Sequence, residues 1–163
     1  MRKGQHITDT DAVAGFFGAL AGAFLFGAGG TNVGHELTHR TYSMRDMILG
    51  RWMLAFTCDA SFAIEHVYGH HKNLGTPADP ATAQRGENVY GFVLKSTIGG
   101  YKSAWKLEKQ RLAKFNQSVW NPIHSRMMRG NLMSLSLFAV SFYIGGWAGV
   151  VMFWIMSAGG KTL

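Results

Sequence analysis

Five of the seven histidines fall into two short clusters, His35-Glu36-Leu37-Thr38-His39 and Glu65-His66-Val67-Tyr68-Gly69-His70-His71. In each cluster one pair, His35/His39 and His66/His70, is four residues apart. That is one turn along a helix face, the spacing that lets two imidazoles chelate one metal ion. His71 points away from that face and is able to reach a second ion. Imidazole binds iron, zinc and copper, so the spacing predicts a metal without naming it. The adjacent carboxylates Glu36 and Glu65 are candidates to accept the outward N–H of a ligating ring and fix its orientation; the alternative is that they are simply solvated. His6 and His124 belong to neither cluster and read as ordinary side chains.

His35-Glu36-Leu37-Thr38-His39 is also the H-E-x-x-H signature of zinc proteases, in which the glutamate is the general base. That chemistry leaves the second cluster unexplained, whereas a two-metal site uses all five histidines.

The elements that must position these residues are apolar. Ala12 to Val33 carries no charged residue over 22 positions, and Leu132 to Ala158 none over 27. At 1.5 Å per residue either stretch reaches across the roughly 30 Å hydrocarbon core of a bilayer. Mean hydropathy is only +0.03, but an average conceals such blocks. Both blocks are rich in glycine, which weakens a helix in water and permits close helix contact in lipid. Met1-Arg2-Lys3 resembles the start of a cleavable signal peptide, yet the apolar block is too long and leads directly into the histidines. The expectation is an all-α, integral membrane chain with spans at about 12–34 and 132–158, forming a single, partial domain over residues 1–163.

The charges lie between the spans. The sequence has 16 Lys and Arg against 9 Asp and Glu, a net +7. Between Glu65 and Arg129 stand ten basic and four acidic residues. A basic connecting segment is expected on the cytoplasmic side, leaving both chain ends on the outer face. Its partners are anionic lipid headgroups or an acidic redox protein rather than nucleic acid, for which no motif is present. Cys58 is the single cysteine, so the chain has no internal disulfide and builds no iron–sulfur or rubredoxin-type centre of its own.

Residues 46–64 are largely apolar but carry Asp46, Arg51 and Asp59, each costly against lipid. A spanning helix here would also hold the two histidine clusters about 30 Å apart, which a shared metal site forbids. An interfacial or re-entrant helix is therefore expected, beginning and ending on one side. Thr76-Pro77-Ala78-Asp79-Pro80 reads as a loop, and residues 95–117 as a basic amphipathic helix at the membrane surface.

Gly34-His35-Glu36-Leu37-Thr38-His39-Arg40 and Glu65-His66-Val67-Tyr68-Gly69-His70-His71 resemble the first two histidine boxes of membrane alkane 1-monooxygenases, within the fatty acid desaturase superfamily. Thr76-Pro77-Ala78-Asp79-Pro80-Ala81-Thr82, Gly86-Glu87-Asn88-Val89-Tyr90 and Ser103-Ala104-Trp105-Lys106-Leu107-Glu108 are similar to segments that follow the second box. The resemblance covers about residues 13–120. It implies that His35, His39, His66, His70 and His71 ligate two iron ions, with dioxygen as co-substrate. It also implies hydroxylation of an alkane or related hydrophobic chain, or its desaturation. Electrons would come from an external rubredoxin- or ferredoxin-type donor with its reductase. The location implied is a bacterial inner membrane, with the metal site facing the cytoplasm. Cleaving an unactivated C–H bond demands a metal-based oxidant that the protein ligates and shields.

The sequence departs from that pattern in one respect. A third histidine box and an intervening histidine motif are characteristic of the family, and neither lies before Leu163. Five histidines do not saturate two irons in the family's manner. The expectation is a truncated chain that alone is inactive or binds metal incompletely, with a non-catalytic membrane fragment as the competing reading.

Overall fold

The computed structural model describes residues 9–162, so His6 lies outside the described residues. Those residues are helical and turn, with no strand among them. Helix α1 (Asp9–Phe24) passes through a π-helical segment, Leu25–Thr31, into α2 (Asn32–His39). The joints at Phe24, Thr31 and Asn32 keep right-handed helical dihedrals, so the three pieces form one rod. This rod continues past the expected end at residue 34 and carries His35 and His39 on its last turns.

Arg40 leaves helical geometry at ψ 57°. Ser43 then starts α3 (Met44–Ala55) by accepting a hydrogen bond from the Asp46 N–H, a normal N-cap. At about 18 Å, twelve residues are too short to cross a bilayer. The helix expected over 46–64 is broken at Phe56–Ser61, where Cys58 adopts φ +54°. The chain resumes as α4 (Phe62–Glu65), a second π-helical segment (His66–His70) and α5 (His71–Asn73).

α2 and α3 touch through backbone. A Cβ added at Gly34 would stand 3.1 Å from the Gly50 carbonyl, and one added at Gly50 would stand 3.0 Å from Leu37 Cβ. Small residues at the crossing let the two rods approach this closely. Leu54 fills the crossing and is fully buried.

After an irregular stretch, Asn88 caps α6 (Val89–Ala113) by accepting from the Gly91 N–H at 2.8 Å. The helix lies six residues earlier at its start and four at its end than the 95–117 expected. Ala104, Glu108 and Leu112 face inward, while Lys102, Lys106 and Lys109 are exposed.

The last element, α7 (Arg126–Thr162), corrects the single span expected at 132–158. Gly146 sits at φ 59°, ψ −147°, a region open essentially to glycine alone, and the chain folds back there. Phe142 meets Trp147 at 5.3 Å and Phe138 meets Phe153 at 4.8 Å between ring centroids. Ser134 and Ser157 hydroxyls donate to the carbonyls of neighbouring residues, Ala55 and Phe56. Two antiparallel arms, each about 25–30 Å long, result. The second arm runs alongside α1, with Gly159 against Ala23 and Gly160 against Phe26. It returns Lys161 to a 2.8 Å ion pair with Asp59. The C-terminal end of the described chain thus lies at the histidine end, not on the opposite face. Nothing in the sequence pattern distinguishes a charge-free hairpin from a charge-free rod; the positive φ at one glycine decides it.

Glu108 ties α6 to the start of α7. Its fully buried carboxylate accepts two bonds from the Arg111 guanidinium at 2.8 Å and one from the Arg126 backbone N–H. Arg111 also donates to the His124 carbonyl. Burial alone would raise this carboxyl. The Arg111 side chain, the Arg126 N–H and both arginine charges together outweigh burial and hold it below its ordinary value.

Two outcomes follow from these contacts. Gly146→Ala should lower the unfolding midpoint of the detergent-solubilised chain, reflecting about 1–3 kcal/mol of strain. Gly145→Ala, where nothing lies within 4 Å of an added Cβ, should leave it unchanged; equal effects would refute the strained turn. Because Glu108 titrates lower in the folded chain, its contribution is complete above its ordinary value and is lost as pH falls through the depressed one. Glu108→Gln should therefore cost roughly 2 kcal/mol at neutral pH, moderated by solvent at Arg111. It should also flatten the acid limb of a stability–pH curve measured by circular dichroism.

Candidate metal centre

The two histidine clusters are 31 residues apart in sequence and meet in space. His35 Nε2 lies 2.7 Å from His66 Nε2, His39 Nε2 lies 3.1 Å from His35 Nε2, and His71 Nε2 lies 3.0 Å from His66 Nε2. Each imidazole Nε2 carries either one in-plane lone pair or one N–H. His35 and His66 each face two others, so ordinary hydrogen bonds serve the chain His39–His35–His66–His71 poorly. One cation would serve His35, His39 and His66 well, since their ligand atoms all lie within 4.8 Å of one another; His71 joins through His66 alone. At the ~2.0–2.1 Å typical of metal–imidazole bonds, adjacent ligand nitrogens around an ion stand roughly 3 Å apart, which matches the separations here. The residues fit a metal on the chemistry and spacing of the donor set.

The π-helical segment His66–His70 sets which rings converge. The i to i+5 relation of a π-turn brings His71 Nε2 to 3.0 Å from His66 Nε2. His70 instead stacks on His66 at 5.2 Å with the ring planes 19° apart. The spacing rule pairs His66 with His70 and turns His71 toward a second ion; in the structure the His70 ring stacks on His66 while His71 Nε2 approaches His66 Nε2. In α2 the spacing rule and the structure agree on His35/His39.

His70 is oriented from outside. Its Nδ1 lies 2.9 Å from Asp79 Oδ2, leaving Nε2 for the site. Asp79 is itself buried and accepts from the Thr82 hydroxyl and the Ala81 N–H. Burial works to raise the Asp79 carboxyl, but these hydrogen bonds and His70 together hold it below its ordinary value. A carboxylate that fixes a ligating ring is the arrangement expected of a metal site. Asp79 is not adjacent to any histidine in the sequence. Its only sequence signal was an acidic residue in the proline-bounded turn nine positions on.

Of the two adjacent carboxylates, Glu36 is exposed and Glu65 is buried, packed against Gly69 beneath the second cluster. Burial pushes the Glu65 carboxyl up, partly opposed by a hydrogen bond to Ser103. Its Oε1 has no hydrogen-bond partner, a costly state for a buried oxygen that a further ligand or water would relieve. Burial, reinforced by the surrounding rings of His35, His71, His70 and His39, pushes His66 down to about 3, so its lone pair is available at neutral pH. His124 stays remote from the cluster, on the loop before α7.

A cavity of about 340 Å³ lies beside the cluster. Phe62, Phe92, Val93 and Tyr101 form apolar wall, while Glu65 and the Asp59–Lys161 pair contribute polar groups.

The Asp79 contact has a measurable consequence. Asp79→Asn should weaken metal retention by about 10–100-fold in chelator-competition titrations, with helicity unchanged. Retention equal to the parent chain would mean that the carboxylate does not orient His70.

Comparison with known proteins places this geometry. Residues 11–159 match the family model described as fatty acid desaturase. The chain is 38% identical over 108 residues to alkane 1-monooxygenase 1 of Alcanivorax borkumensis, covering 66% of this chain and 26% of that protein. It is 35% identical over 129 residues to alkane 1-monooxygenase 1 of Pseudomonas aeruginosa, covering 79% and 33%. It is 34% identical over 127 residues to the xylene/toluene monooxygenase hydroxylase component of Pseudomonas putida, covering 78% and 34%. The chain thus spans about a quarter to a third of the length of these relatives. With nearly its whole length matched by one family model and its histidines gathered at one point, the chain belongs to the fatty acid desaturase family.

Proposed function

We propose that this chain carries part of a histidine-ligated di-iron centre in a membrane monooxygenase that hydroxylates alkanes or related hydrophobic chains. The observation that carries the reading is the convergence of His35, His39 and His66, extended by His71 on His66, with successive Nε2 atoms 2.7–3.1 Å apart and His70 turned by Asp79. These five side chains would hold the iron. Bound there, the metal supplies dioxygen activation: one oxygen atom enters the C–H bond to give an alcohol, and the other leaves as water with two electrons and two protons from an external donor.

The chain's own residues provide the setting. Asp79 fixes the His70 ring. The His66 imidazole stays neutral and able to ligate. Glu65 holds a carboxyl group between the cluster and the adjacent cavity, where it can hold a proton beside the ligands. Apolar walls from Phe62, Phe92 and Val93 exclude water from an alkyl chain. A rubredoxin- or ferredoxin-type donor would supply the electrons, because these 163 residues hold one cysteine and build no iron–sulfur centre themselves.

The membrane placement follows from the apolar exteriors of α1 and the hairpin. Phe16, Phe17, Leu25, Tyr143, Ile144 and Trp147 are each more than 60% exposed, a surface suited to lipid. Val13–His39 is long and apolar enough to cross, and each arm of the hairpin, about 25–30 Å long, approaches the thickness of the hydrocarbon core. The basic connecting segment supports a histidine end at the cytoplasmic face of an inner membrane.

Elemental analysis of chain purified with iron available tests the centre, against a His35→Ala, His66→Ala double variant. Iron retained by the parent and lost in the variant supports it; tight zinc and no iron would return the protease chemistry. Product analysis of hydrocarbon incubated with dioxygen and a reconstituted donor separates alcohol, expected here, from a new double bond, the desaturase outcome.

A further inference from the structure

On the far side of the second histidine cluster lies a cavity of about 280 Å³ that the metal chemistry does not use. Four arginines line it from three elements: Arg51 from α3, Arg111 from α6, and Arg126 and Arg129 from the first turn of α7. No acidic residue is among its lining residues. Glu108 stands behind it and is already committed to Arg111 and the Arg126 backbone. Among the described residues, Arg51, Arg126 and Arg129 form no ion pair.

Gathering like charges in this way is costly. Burial first, then the charges of Arg126 and Arg129, lower the Arg51 guanidinium to about 10. The Arg51 Nε is buried without a hydrogen-bond partner. A folded chain retains such a cluster cheaply only when something supplies the missing negative charge and acceptor oxygens.

We propose that Arg51, Arg111, Arg126 and Arg129 form a binding site for a phosphate group, that of an anionic phospholipid headgroup. The guanidinium fork matches phosphate oxygens two at a time, and Tyr68 at the same cavity adds a hydroxyl donor. The rim supports the lipid source. Met44, Ile48 and Ile123 border the cavity and are 74%, 48% and 75% exposed, so acyl chain has apolar surface to follow. Arg126 and Arg129 also mark where the hairpin begins its apolar run, the level at which headgroups lie in the membrane placement proposed above. The lipid source rests on that placement; phosphate recognition does not, and neither depends on iron.

The test titrates the full, detergent-purified chain with short-chain phosphatidylglycerol, short-chain phosphatidylcholine, inorganic phosphate and a polyglutamate peptide, following lipid adducts by native mass spectrometry and phosphorus NMR. Phosphatidylglycerol should bind in preference to phosphatidylcholine, and inorganic phosphate should compete with it. Arg126→Gln and Arg51→Gln should each weaken phosphatidylglycerol binding roughly tenfold or more. Lys109→Gln, which removes the same charge from the exposed face of α6, should not. Arg126→Lys keeps the charge and the helix, so it decides the matter if Arg51→Gln fails to fold; it should lose part of the affinity because an ammonium cannot fork. Equal losses in Arg126→Gln and Lys109→Gln would overturn the site as mere surface attraction. Binding of inorganic phosphate without lipid would overturn the lipid source while the membrane placement stood. Tighter binding of polyglutamate than of either would reassign the cavity to an acidic protein partner.

Discussion

The structure is organised around the mutual approach of imidazole nitrogens from two distant segments. The Nε2 atoms of His39, His35, His66 and His71 follow one another at separations near 3 Å. Protonated rings cannot be held that way, and neutral rings cannot all satisfy one another by hydrogen bonding. Each surrounding feature serves to bring the rings there and keep them aimed. The first rod continues past its apolar run to deliver His35 and His39. The chain then reverses through α3, whose backbone contact with α2 at Gly34 and Gly50 holds the reversal tight. It breaks at Phe56–Ser61 so that α4 can return the second cluster to the same end.

Two irregular helical segments adjust this delivery. The π-turn at His66–His70 changes which ring lies beside which, and Asp79 captures the ring that is turned away from the main cluster. π-turns are uncommon and tend to occur where function demands a side chain that regular helix would misplace. The second one, Leu25–Thr31, lies in the rod just before the first cluster. Here Gly27 and Gly30 are buried and Gly160 of the returning arm approaches the Gly27 backbone at 3.0 Å from an added Cβ, so the wide turn and the helix contact coincide.

Away from the histidines the molecule divides into two regimes. At the histidine end, charges are buried with partners: Glu108 with Arg111, Asp79 with His70, Lys161 with Asp59. At the other end, α1 and the hairpin expose aromatic and aliphatic side chains with little to cover them. Surfaces of this second kind are stable in lipid or against other apolar helices, and unstable in water. The arginine-lined cavity sits at the boundary between the regimes, where a phosphate would find both charge and apolar surface.

Much of this was legible in the residues themselves. Charge-free runs announce apolar helices because a charge in lipid is expensive wherever it falls, and His35/His39 announce a shared face because α-helical geometry is local. The requirement that both clusters meet also made a segment that does not span foreseeable over 46–64, though not its break at Phe56–Ser61. Other features were decided by tertiary structure. Whether 126–162 is a rod or a hairpin depends on one glycine's φ and on the packing of Ser134 and Ser157 against the same turn. Which of His70 and His71 joins His66 depends on a π-turn that residue spacing does not encode. Asp79 became the partner of His70, ahead of Glu65 beside the same cluster, because a loop folded back over nine residues. Composition and periodicity report the energetics of each residue's own neighbourhood, whereas these three outcomes are set by contacts between segments that are separated along the chain.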